Sequence, residues 1–185
     1  MHHFLKFYGF HQEFIIRLYI FGAKFTKLPI IGRIVKALLN WSAVSQHSAL
    51  VLTGEEAKQV IDRAQNLAVG DCKCRKVFGN CDNPIRTDLV IGVGYDIFTE
   101  FRSDEFTQIS KDEAKDIIDE CSARKLVQCI IQCRGKYYSI CNCCTCCCVP
   151  LRLNMVYGVN KAWVRDKGAV NDLLDELKGK SGVDS

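Results

Sequence analysis

The chain has 185 residues, 48% of them hydrophobic and 25% charged, with a formal net charge of +4 and a mean hydropathy near zero. These values exclude intrinsic disorder, and the absence of any run of about 18 uncharged apolar residues excludes a membrane channel or transporter. The length suits one ordinary domain, or a compact domain with one extension.

Charge is unevenly spread along the chain. Residues 1–50 carry six Lys/Arg and the single acid Glu13, for +5, while the remainder carries 19 basic and 20 acidic residues. Half of the eighteen aromatics also fall in the first fifty residues. The sequence therefore predicts a basic aromatic arm over 1–50, followed by a near-neutral body over 51–165 and a C-terminal helix and tail over 166–185. Two helices are expected in the arm. Residues 4–22 are apolar nearly all round, and a second helix begins near Pro29, a residue suited to a first helical turn. In that second helix Leu28, Ile31, Ile34, Val35, Leu38 and Leu39 form a stripe opposite Arg33, Lys36 and Asn40. Such helices pack on the body, dock to a partner subunit, or lie on a membrane surface. Lys6, Glu13 and Arg17 interrupt the apolar start, and no signal-peptide cleavage pattern is present, so a reducing cytoplasm is the expected location.

The body contains an internal repeat, 52–81 and 109–141. Both copies open on a capping box, Thr53 with Glu56 and Ser110 with Glu113. The helices that follow share a core face: Ala57, Val60, Ile61 and Ala64 match Ala114, Ile117, Ile118 and Cys121. An apolar stretch then leads to Cys74-Arg75 in one copy and Cys133-Arg134 in the other, with a further cysteine at Cys81 or Cys141. This pattern predicts a small α+β body with pseudo-twofold symmetry and metal ligands near the axis. Strands are expected at 87–93, 126–133 and 136–140, the last two forming a hairpin around Arg134-Gly135. A helix is expected after Pro150, and a short one over about Asn171–Lys178.

Twelve cysteines are present, six of them between Cys141 and Cys148. Adjacent cysteines stand too close to bridge one another, so the thiols read as free for metal. So many oxidisable thiols suit an anaerobic host. Cys141, Cys144 and Cys147 have the spacing that opens the bacterial ferredoxin motif. Leu151 occupies the fourth-ligand position, so the fourth thiolate comes from elsewhere. Cys72, Cys74 and Cys81 form a second incomplete triad. Exchange across the repeat would give the first-copy triad Cys148 or Cys146, and the second-copy triad Cys133. Cys143 is either a ligand or a thiol beside the ligands. Cys121 and Cys129 read as packed core residues. Zinc sites usually show two spaced pairs and often histidine. Here the four histidines, at 2, 3, 11 and 47, all lie in the arm, which favours iron–sulfur chemistry. No radical S-adenosylmethionine spacing and no phosphate loop occur, and Gly92-Val93-Gly94 lacks the third glycine of a dinucleotide site.

Cys72-Lys73-Cys74-Arg75 with Cys81-Asp82-Asn83-Pro84, followed by Cys141-Asn142-Cys143-Cys144-Thr145-Cys146-Cys147-Cys148, resembles a family of ferredoxin-like iron–sulfur proteins of anaerobic bacteria and archaea. The resemblance covers about residues 50–158. It implies [4Fe–4S] clusters, two in number if both triads are used, inside a redox protein. Some relatives carry a further cysteine in the strand after the Cys-Asp-x-Pro turn; here that strand, Thr87-Asp88-Leu89-Val90-Ile91, has none. The expected function is an electron-transfer protein or subunit without substrate chemistry of its own. A cluster-bearing enzyme or maturation factor with an open iron is the alternative, and a zinc-stabilised interaction module is the third reading. The expected partners are redox proteins in a larger complex or a second copy, met through the arm, with a peripheral membrane contact through residues 1–42 less favoured. No nucleic-acid partner is expected.

Overall fold

Periodicity and capping place the elements. The computed structural model of the chain describes residues 2–45 and 47–181, with side chains from Lys6 to Lys178. The arm forms α1 (His2–Lys24) and α2 (Ile31–Ser45), joined by a 3-10 turn at Phe25–Lys27. The body then runs β1 (His47–Val51), α3 (Gly54–Arg63), β2 (Leu67–Asp71), α4 (Lys73–Phe78), β3 (Arg86–Ile91) and α5 (Val93–Phe101). It continues with β4 (Thr107–Gln108), α6 (Lys111–Ala123), β5 (Val127–Cys133), β6 (Lys136–Cys143), α7 (Val149–Tyr157), β7 (Trp163–Val164) and α8 (Lys167–Ser181). The fold is α+β with an N-terminal helical arm, as the pattern predicts. The arm–body boundary drawn at residue 50 falls inside β1, and α8 extends beyond the expected 171–178.

Both capping boxes form. Thr53 accepts from the Glu56 amide at 3.1 Å and its own amide donates to the Glu56 carboxylate at 2.7 Å. Ser110 and Glu113 repeat the arrangement at 3.2 and 2.8 Å. Each box satisfies amide groups that a helix start would leave unpaired.

The repeat is visible in the sheet. Its strand order is β4-β2-β3-β6-β5-β1-β7, antiparallel throughout except for the β1–β7 pair. Each half is a β-α-β-β unit, β1-α3-β2-β3 and β4-α6-β5-β6. The first strand of each half pairs with the second strand of the other, β1 with β5 and β4 with β2, and the third strands β3 and β6 meet at the axis. Helices α3 and α6 lie side by side on one face, where Val60, Ile61, Ala114 and Ile118 pack with Leu89, Ile130 and Ile140 and with Leu173 of α8.

The opposite face carries α5 and α7, each following the last strand of its half, with α1 laid across both. Gly94 brings α5 against β6, because a Cβ there would stand 2.1 Å from the Tyr138 carbonyl oxygen. Ile16, Ile20 and Ala23 of α1 pack on Val149 and Leu153 of α7.

The two Cys-Arg dipeptides share the connection between the second and third strands of each half but stand in different local structure. Cys74-Arg75 lies in α4, inserted between β2 and β3, while Cys133-Arg134 ends β5 at a tight turn. The Cys141–Cys148 segment continues from β6 into α7, where the first half has only Gly92, at φ +48°, between β3 and α5. Sequence similarity marks the helices truly and the cysteine loops falsely, since each loop is an insertion in one half.

Candidate metal centre

Two chain segments bring the thiols together. The first is the α4 insertion, with Cys72 at the helix N-cap, Cys74 in its first turn and Cys81 beyond the left-handed Gly79. The second is the end of β6 and the loop into α7, with Cys148 at that helix's N-cap. Arg75, only 2% exposed, ties them. Its guanidinium donates to the Pro84 carbonyl, to Thr87 Oγ1 at 2.6 Å and to the Asn142 carbonyl at 2.5 Å. Asn142 completes the bond between segments by donating to the Thr87 carbonyl at 3.0 Å and accepting from Gln128 at 3.1 Å. A planar five-donor fork suits this task, and lysine could not serve three acceptors in that plane.

Cys81, Cys144, Cys146 and Cys147 form an outer group in which all four sulfurs lie within 4.8 Å of one another. Cys81 Sγ stands 3.8 Å from both Cys144 and Cys147. Asn80 donates to the Cys146 carbonyl at 2.9 Å, and Asn83 donates to Cys81 Sγ at 3.4 Å. Cys121 and Leu126 form the apolar floor beneath Cys144 and Cys147. Four thiolates and no oxygen or imidazole make a soft donor set, one that selects zinc or iron over hard cations.

A second set lines a cavity of about 110 Å³ between the sheet and the arm. Cys72, Cys74, Cys141, Cys143 and Cys148 stand on its wall, with Cys144 shared by both regions. A β-bulge arranges part of this wall. The register of β5 against β6 shifts between Ile131 and Gln132, so that Ile131 faces Ser139 and Cys129 faces Cys141. With Tyr138 extra in the ladder, Tyr138, Ser139, Cys141 and Cys143 all turn toward the cavity. Cys129 Sγ lies 3.6 Å from Cys143 Sγ, and Cys141 Sγ lies 3.6 Å from the Asp88 carboxylate, which also accepts from Ser139. Tyr8, Gln12, Ile16 and Tyr19 of α1 form the roof.

Protonation differs between the groups. Burial pushes the Cys74 and Cys148 thiols well above the ordinary cysteine range, and pushes Cys147 up to about 11. Burial also raises Asp88. At Cys81 burial is outweighed by the Asn83 amide and side chain and by the Cys146 and Cys144 thiols, which bring the group down to about 6. A metal cation displaces such buried thiol protons and supplies the positive charge the ionised sulfurs need.

Of the ten cysteines read as site residues, nine lie in these two groups. Cys133 joins neither. It sits at the end of β5, packed with Ala49, Ile131 and Tyr138, because the hairpin turn carries it past the cavity. The expected partition of ligands is also replaced, since Cys81 leaves Cys72 and Cys74 to join Cys144, Cys146 and Cys147. Asp88, Cys129 and the arm tyrosines are additions. A hairpin register would have shown Cys129 near Cys141, but the bulge that sets it has no sequence mark. No known family model, curated protein or solved structure matches the chain.

Proposed function

We propose that the protein is an iron–sulfur electron-transfer protein, or the redox subunit of a larger assembly. The observation that carries this reading is the convergence of nine cysteines, from the α4 insertion and from the β6–α7 segment, into two adjoining thiol groups. Cys72, Cys74 and Cys148, with Cys141 or Cys143, would hold a [4Fe–4S] cluster in the inner cavity, and the outer four would hold a second metal centre. A bound cluster supplies one-electron transfer. The chain's own residues bury it, exclude water beneath α1, and place the Arg75 charge beside Cys72. The resemblance to ferredoxin-like proteins supports the same reading.

One observation favours a second reading for the outer group. Sulfur separations of 3.8 Å match the edge of a tetrahedron with metal–sulfur bonds of about 2.3 Å. A single zinc or iron ion fits that spacing better than a cubane, whose four irons hold their thiolates farther apart. The test is anaerobic preparation of the full chain, followed by iron, zinc and acid-labile sulfide analysis and low-temperature EPR of the reduced protein. Iron with sulfide and a reducible paramagnetic signal is expected. Zinc alone, without sulfide, overturns the electron-transfer reading and leaves a zinc-stabilised module.

A further inference from the structure

The arm roofs the cavity with one face of α1 and leaves another bare. Phe7, Phe10, Phe14, Leu18, Phe21 and Phe25 are all exposed and follow one another at intervals of three or four residues. They make a single apolar stripe along five turns of helix, on a segment about 35 Å long. On α2, Ile31, Ile34, Leu38 and Trp41 do the same. Among the described residues, thirteen of the eighteen large exposed hydrophobics lie between Phe7 and Val44. Soluble monomers rarely show an apolar patch of this extent without a use for it.

The polar residues bordering the stripes decide what covers them. Arg17, Lys24, Lys27, Arg33 and Lys36 are exposed in the same segment. The only acid there, Glu13, is 3.7 Å from Lys73 and is thereby partly neutralised. Lys24 flanks the α1 stripe, where a long basic side chain lays its stem on apolar surface and keeps its charge in the headgroup layer; Arg17, on the same flank, donates to the Val77 carbonyl of α4 at 3.3 Å. A second copy of the chain seated here would oppose two faces of like charge. Among the described residues no helix is long and apolar enough to cross a membrane. In-plane helices with a broad aromatic face and basic flanks match the interface of an anionic bilayer.

We propose that α1 and α2 lie in the surface of an anionic membrane and hold the thiol-lined body against it. Trp41 and the α1 phenylalanines enter the acyl boundary, and Lys24, Lys27, Arg33 and Lys36 meet lipid phosphates. This docking stands apart from the identity of the bound metal and is measurable whichever metal is found.

The full chain, prepared anaerobically, is sedimented with vesicles of phosphatidylcholine containing about one quarter phosphatidylglycerol, and with phosphatidylcholine alone. Binding to the anionic vesicles, weakened by salt, is expected, together with a blue shift of Trp41 emission in a Trp163→Phe background. Phe10→Glu and Phe14→Glu each lower vesicle affinity about tenfold, and Lys24→Glu lowers it about fivefold on anionic vesicles only. These positions are exposed, so an unchanged melting temperature and metal content verify the fold of each variant. The proposal is overturned if the wild-type chain stays unbound by anionic vesicles at low salt. It is equally overturned if Phe10→Glu leaves vesicle binding intact, or if the same substitution dissociates a dimer or a protein complex while vesicles are ignored.

Discussion

The Arg75 guanidinium and the Asn142 carbonyl, 2.5 Å apart and 67 residues apart in sequence, join the two cysteine-bearing segments. Neither residue is a metal ligand, yet both thiol groups depend on the junction, since Cys72 and Cys74 lie on one side of it and Cys141 and Cys143 on the other. Replacing Arg75 with Met leaves the buried Asn142 carbonyl and the half-buried Pro84 carbonyl without that donor. A loss of about 3 kcal/mol is expected, read as a lower unfolding midpoint in denaturant. Arg75→Lys keeps the charge but not the fork, so it should recover only part of the stability, and the metal content of both variants should fall together.

The grouping of sulfurs predicts how metal is lost. Cys81→Ala and Cys147→Ala remove thiols from the same outer group, so each should abolish the same centre and leave the other's spectrum in place. Cys74→Ala and Cys148→Ala should remove the inner centre. Cys121→Ala takes away a buried sulfur from the floor under Cys144 and Cys147 without removing a member of the group. Its metal content should stay near the wild-type value, with a stability loss of about 1 kcal/mol. Quantitative iron, zinc and sulfide analysis of the five variants checks the partition. If loss of Cys81 and loss of Cys147 gave different missing centres, the outer group would be wrong.

What the sequence makes legible here is local. The capping boxes at Thr53 and Ser110, the hairpin at Arg134-Gly135 and the apolar faces of α3 and α6 depend on residues within a few positions of each other, and they form as read. The helix repeat even forecasts the pseudo-twofold sheet. The cysteine partition was hidden because it depends on two insertions and a bulge. The Cys74-Arg75 and Cys133-Arg134 match is one of dipeptides alone, and Cys133, expected as a ligand because it lies just across the hairpin, ends β5 outside both thiol groups. The true neighbour of Cys81 is set by the α4 turn, the left-handed Gly79 and the Asn80 contact to Cys146. None of these carries a pattern that spacing alone would reveal.

Gly94 carries a packing prediction. The missing side chain lets the first turn of α5 rest on the Tyr138 carbonyl, and a Cβ there would sit 2.1 Å from that oxygen. Backbone cannot swing aside as a flexible side chain can, so Gly94→Ala should push α5 off β6 and cost about 2 kcal/mol or more. Tyr138 lines the inner cavity, so the displacement should also speed alkylation of the inner thiols in metal-free protein. Equal melting temperatures for variant and wild type would contradict the close contact.

Glu105 gives the pH prediction. It lies 2.6 Å from Lys73 and 2.5 Å from Arg102, both buried, and so ties α4 to the loop after α5. Burial alone would raise its carboxyl, but hydrogen bonds from Arg102 and Lys73 dominate and hold it down at about 2. The folded value lies below the unfolded one, so the contribution to stability is complete above about pH 4.5 and is lost as pH falls toward about 2. Glu105→Gln removes that contribution at neutral pH and leaves two buried cations short of a counter-charge, an expected loss of about 2 kcal/mol. Acid also strips metal from thiolates in both proteins, so the informative quantity is the difference between them. The melting temperatures of wild type and variant should stand apart at pH 7 and converge as the pH is lowered through about 4 toward 2. A gap that stayed constant over that range would mean that the Glu105 carboxylate is not what Lys73 and Arg102 hold ionised.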